Sequence, residues 1–140
     1  MNTTDKTAGP GTISDEELIR DFEQATLKSF HHADHVRIAF AYLCHYPAAE
    51  ALKKFSTALR HFATAQGRPH LYHETITWAY LLLIRERMAR TSAPQTWDEF
   101  ARQNTDLLEW KPGVLARYYR PETLASELAR NTFIFPDKSS

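Results

Sequence analysis

Apolar side chains return at intervals of three and four along most of this chain, the spacing of helices that bury one face. Leu18, Phe22 and Ala25 share such a face, with Ile19 and Thr26 beside them. They follow Ser14-Asp15-Glu16-Glu17, a capping box in which the Ser14 hydroxyl accepts from the Glu17 amide while Glu17 reaches back. A first helix is predicted from there to about Leu27. A second runs from about His32 to Tyr46 and stops at Pro47, which can itself open the next helix. The third, about Ala48 to Ala65, carries Leu52, Phe55, Leu59 and Phe62 as its stripe and ends at Gly67. The fourth, about Leu71 to Ala89, is the most apolar and therefore central. Thr96-Trp97-Asp98-Glu99 is a second capping box and opens a short helix bearing Trp97 and Phe100.

Beyond Lys111 the pattern breaks into two Pro-started pieces, around Val114 to Tyr119 and Glu122 to Arg130. The ending "TFIFPDKSS" favours extended backbone, but a lone strand has nothing to pair with, so it is expected to pack Phe133 and Phe135 onto the helices. No alternating segments argue for a sheet, and short connections make consecutive helices antiparallel neighbours. The fold class is all-α: an antiparallel helical bundle of about four main helices with a short helical C-terminal extension. Residues 1–13, polar with Gly and Pro, read as a disordered N-terminal tail. Residues 14–135 read as a single helical domain, and 136–140 as a C-terminal tail.

Composition changes this picture little. A chain of 140 residues with 43% hydrophobic side chains is the size of one packed domain. Lys+Arg and Asp+Glu both number 17, so no overall field favours nucleic acid or an anionic membrane. The single cysteine, Cys44, excludes an internal disulfide and a thiolate zinc site and fits a reducing cytoplasm. No secretory leader opens the sequence, and the longest apolar run, Ala79 to Ile84, is far short of the roughly 20 residues that span a bilayer. The expected setting is cytoplasmic, without nucleic-acid or membrane partners.

The candidate chemistry lies in "SFHHADHVRIAF", residues 29–40. At about 100° per residue, His35 and His32 continue the face that buries Tyr42 and Leu43, while Asp34 points elsewhere and suits capping or orienting. On the fourth helix His73 falls with Ile76, Thr77, Tyr80 and Ile84. If the second, third and fourth helices run up, down and up, the second and fourth begin at the same end. His32, His35 and His73 could then converge, with Glu74 and His70 nearby.

Imidazoles at i and i+3 plus a third from another helix can hold a cation and leave positions open for water or substrate. Such ligands suit a divalent transition metal: Zn, Fe, Cu, Ni or Mn. The other use is acid–base work, since a helix N-terminus keeps a nearby histidine neutral. Against both stands the ordinary role of histidines that cap amides at a wet bundle end. H-E-x-x-H and paired E-x-x-H motifs are absent, so this spacing is weaker than an established metal signature.

"FHHADHVRIAFAYL", "GRPHLYHETITWAYLLLIRERMAR" and "YYRPETL" resemble a family of small bacterial helical proteins of uncharacterised function with F-x-H-x-D-H-V and Y-H-E-T motifs. The motifs map onto Phe30, His32, Asp34, His35 and Val36, then Tyr72, His73, Glu74 and Thr75. The resemblance implies that His31 is incidental and that His32, His35 and His73 are the set to follow. It brings no activity with it.

Tyr42, Tyr46, Tyr72, Tyr80 and Trp78 read either as pocket walls or, at helical spacing, as core. Arg85, Arg87, Arg90 and Glu86 read as an ion-paired helix end, unless Arg85 or Arg87 turns inward to a substrate carboxylate. Two functions follow. One is a small enzyme acting on a small organic molecule, with His32, His35 and His73 as metal ligands and Glu74, Tyr72 and Asp34 in catalytic roles. The other is a non-catalytic module for protein–protein contact or homodimerisation, with structural histidines.

Overall fold

A computed structural model describes residues 14–111 and 113–138; the expected N-terminal tail lies outside the described residues. Eight α-helices and no strands are present among them. They are α1 (Asp15–Glu23), α2 (His32–His45), α3 (Ala48–Ala65), α4 (Glu74–Ala89), α5 (Trp97–Gln103), α6 (Thr105–Leu108), α7 (Pro121–Leu124) and α8 (Glu127–Asn131), with 3₁₀ turns at Pro69–Leu71 and Val114–Arg117. The expected all-α bundle is what forms. No helix among the described residues is long and apolar enough to cross a membrane.

Both capping boxes are made. Glu17 N–H donates to the Ser14 hydroxyl at 3.2 Å while Ser14 N–H donates to Glu17 Oε1, also at 3.2 Å. Thr96 and Glu99 repeat the pair at 3.2 and 2.9 Å. Thr96 sits at an exposed helix start, so Thr96→Ala should lower stability by about 1 kcal/mol without moving the site, as read by urea unfolding.

Helix α1 ends at Glu23, short of the Leu27 that periodicity suggested. Ala25 adopts φ 58°, and Thr26 N–H reaches back to Asp21 O at 2.8 Å, closing a Schellman turn. A non-glycine residue there is a poor sequence signal for a stop. Helix α3 stops the same way at Gly67, with φ 74° and Arg68 N–H on Ala63 O at 2.9 Å.

The larger correction concerns α4, which begins at Glu74 and not at Leu71. Pro69–Leu71 forms a 3₁₀ turn, and His73 is extended, with φ −135° and ψ 111°. His73 therefore caps the helix from outside rather than riding in its first turn.

The core is an aromatic knot where α1, α2 and α3 meet. Phe22 packs against Phe30, Phe55 and Phe62 with ring centroids 5.5, 5.6 and 5.7 Å apart. Tyr42 meets Phe22 and donates its hydroxyl to Glu23 at 2.7 Å, so this tyrosine and Tyr80, both fully buried, are core. A second cluster of Phe40, Trp97 and Phe100 fastens α5 to α2.

The C-terminal third is a strap across α4. The buried Thr75 hydroxyl donates to Thr132 O at 2.8 Å and accepts from Ile134 N–H at 3.1 Å. Tyr119 donates to Ile134 O at 2.6 Å, and Asp137 accepts from Arg120 N–H and the Thr123 hydroxyl. Phe133 stacks on Trp78 at 5.4 Å, as the tail reading expected, whereas Phe135 is largely exposed.

Candidate functional site

A cleft of about 740 Å³ opens where α2 and α4 begin and α3 ends. His31, His32 and His35 face it from the start of α2, and His73, Ile76 and Thr77 from the start of α4. Leu59, Phe62, Ala63 and Gln66 come from the final turns of α3. Helices α2, α3 and α4 therefore run up, down and up, and three of the singled-out histidines share one cavity.

They do not do the same thing in it. His73 spends both ring nitrogens on the fold. Its Nδ1 accepts from Ile76 N–H at 3.1 Å, capping α4, and its Nε2–H donates to Leu124 O at 2.7 Å. The acceptor role at Nδ1 requires the neutral ring. Burial holds its pKa below the ordinary histidine value, the Leu124 bond opposing and Arg130 adding to the effect. To ligate a cation at Nδ1, His73 would have to surrender its cap. Among the described residues no group of three or more His, Cys, Asp or Glu stands where it could hold one metal ion.

His32 is half committed. Its Nε2–H donates to Leu107 O at 2.9 Å, and its ring lies 4.9 Å from Tyr80 and 5.1 Å from Trp110. Burial lowers its pKa, partly offset by the Leu107 bond.

His35 stands apart. Its ring sits among Phe55, Tyr80, Phe30 and His32, at centroid distances of 5.2, 5.8, 6.1 and 6.1 Å. Its Nε2 is shut off from solvent with no hydrogen-bond partner among the described residues. Burial, with a smaller push from His32, drives the His35 pKa down to about 3. It is therefore neutral at neutral pH. Burial likewise raises the Tyr80 hydroxyl to about 12.

The residues expected in catalytic roles are mostly occupied. Asp34 accepts from His31 N–H at 2.8 Å and so caps α2, the orienting role that its position on the helical wheel favoured. Glu74 accepts from Tyr72 Oη–H at 2.6 Å and from Arg60 at 2.9 Å, and Arg60 lies 4.3 Å over the Tyr72 ring. Tyr72 presents its ring to the cleft while its hydroxyl is tied to Glu74, and burial followed by that bond raises its pKa. Arg87 does not turn toward a substrate: it grips Asp106 through two bonds of 3.0 and 2.9 Å and also holds Asn104. Cys44 is exposed, and partial burial of its sulfur followed by the Asp15 carboxylate pushes the thiol up to about 11.

What the sequence reading missed is the rest of the lining. Lys28, Arg68 and Arg130 come from three separate segments, and Trp110 reaches over from beyond α6. No periodicity links these positions, because none shares a helix with another. No protein-family model, curated protein or solved structure matches the chain.

Proposed function

We propose that this protein binds a small organic molecule in the cleft, holding it against His35. One observation carries the reading: a cleft-lining imidazole whose ring makes no hydrogen bond among the described residues, its Nε2 being buried as well. Nearly all buried polar groups in folded proteins are hydrogen-bonded, and leaving one unmade costs roughly 1–3 kcal/mol. Phe30, Leu59, Phe62 and Ile76 give the same cleft an apolar stretch, and apolar walls with a few polar groups are the usual make-up of a small-molecule site.

The tautomer follows from burial. A proton on Nε2 would have no acceptor among the described residues, so the neutral ring carries it on Nδ1. His35 is thus a neutral donor toward a ligand acceptor. The carboxylates beside the cleft are engaged by Tyr72, Arg60 and the α2 cap, and the His31–Asp34 pair at its rim, 3.6 Å apart, is largely open to solvent, so recognition is favoured over proton-transfer catalysis.

A pair of uncharged probes of equal size tests this. 1-Acetylnaphthalene offers a carbonyl acceptor and 1-ethylnaphthalene does not. Displacement of the fluorescent N-phenyl-1-naphthylamine should show the acetyl compound binding about tenfold more tightly, worth about 1.4 kcal/mol. His35→Leu should erase that preference. Equal affinities in the native chain, or a preference that survives His35→Leu, would remove His35 as the anchor.

A further inference from the structure

We infer that the ligand of this cleft is an amphipathic organic anion, an apolar body bearing a carboxylate or similar group, free in solution. This rests on the small-molecule reading of the cavity, but a different set of residues carries it. Lys28, Arg68 and Arg130 all line the cleft, and among the described residues no Asp or Glu does. The chain as a whole is balanced at 17 cationic and 17 acidic residues, so a wall with three cations and no acid is a local departure.

The cations are also poorly spoken for. Among the described residues neither Lys28 nor Arg68 has a carboxylate partner, whereas Asp15, Glu74 and Asp106 are each claimed by an arginine elsewhere. Arg130 donates Nη1 to His70 O at 2.6 Å, and its nearest carboxylate, Glu127, is 3.9 Å away. Two cations without a carboxylate partner and a third only loosely paired, around one concavity, raise the local concentration of anions and fix their orientation.

The same cavity carries apolar surface that nothing covers. Leu71 and Trp110 are 55% and 51% exposed, and both line it. Beneath them lie Phe30, Leu59, Phe62 and Ile76. An inorganic anion would leave that surface wet, and a neutral hydrocarbon would leave the cations unused. A molecule with an apolar body and one anionic head satisfies both. The first turns of α2 and α4 face the same cavity and add to the positive potential there.

Two fluorescent probes with one skeleton separate the possibilities. 1-Anilinonaphthalene-8-sulfonate is N-phenyl-1-naphthylamine carrying a sulfonate, so their difference isolates the anion. The sulfonated probe is expected to bind at least tenfold more tightly at low salt, with the advantage shrinking as salt rises. Lys28→Gln combined with Arg68→Gln should remove most of that advantage and leave the neutral probe's affinity unchanged. Lys53→Gln, an exposed cation outside the cleft, should leave both unchanged. Ala63→Phe, which adds a ring to the cavity wall, should weaken both while circular dichroism remains native.

Equal affinities, or an advantage that survives the double substitution, would overturn the anion and leave the small-molecule cleft standing. Binding of neither probe, or affinities unchanged by Ala63→Phe, would overturn the cleft reading itself. Loss of both probes as the chain self-associates would give the cavity to a second copy and end the proposal.

Discussion

His73→Ala should be the most damaging single change at the site, lowering stability by about 2–4 kcal/mol. Two losses combine: the helix cap on Ile76 N–H, about 1 kcal/mol, and the donor to Leu124 O, whose carbonyl is then left unpaired at about 1–3 kcal/mol. For a domain of this size the melting temperature falls by roughly 3 °C per kcal/mol, or about 6–12 °C in all. His73→Asn, which can still cap, should recover the first loss and not the second. If His73 merely faced the cavity, alanine would cost little and asparagine would restore nothing.

The same histidine makes the fold acid-sensitive. Its pKa in the folded chain lies below the ordinary value, and so do those of His32 and His35. The unfolded chain therefore binds more protons over the interval below about pH 6.5. The stabilisation is complete above that value and drains away as pH falls toward each folded pKa. Every such histidine contributes a slope of up to about 1.4 kcal/mol per pH unit. Urea midpoints taken from pH 7 down to pH 5 should drop steadily, and a flat profile would contradict the neutral, buried assignment.

His35→Leu is expected to run the other way, raising stability at pH 7 by about 1–2 kcal/mol while destroying the preference for a ligand acceptor. Leucine fills a similar space among Phe55, Tyr80 and Phe30 and removes the stranded Nε2. It also removes one of the titrating groups, so the decline between pH 7 and pH 5 should be shallower than in the native chain. A residue retained against stability is the signature of a functional site. Destabilisation by leucine would mean that His35 is partnered in solution and serves the fold instead.

The contrast between these two histidines explains how far the residues alone could be read. Both fall on inward-facing positions, and up-down-up connectivity correctly brings them to one cavity. Their roles diverge through partners that periodicity cannot supply. His73 is claimed by Leu124, 51 positions away, and His32 by Leu107, 75 positions away, while His35 is claimed by nothing among the described residues. Treating His73 as part of the fourth helix also hid its cap, because Pro69 starts a 3₁₀ turn that ends before the helix begins. The cationic wall was invisible for a related reason: Lys28, Arg68 and Arg130 belong to a link, a turn and the last short helix.

Local interactions are written within a few residues of one another, and those the sequence determined by itself. The spacing of Leu52, Phe55, Leu59 and Phe62, the boxes at Ser14 and Thr96, the break at Pro47 and the glycine stop at Gly67 dictate helices, and short links dictate an antiparallel all-α bundle. Only the tertiary structure decided which imidazole stays free, which carboxylates are spent, and which charges gather at the cleft. A buried polar group is defined by what reaches it, and for His32, His73 and Thr75 what reaches it comes from the far C-terminal part of the chain.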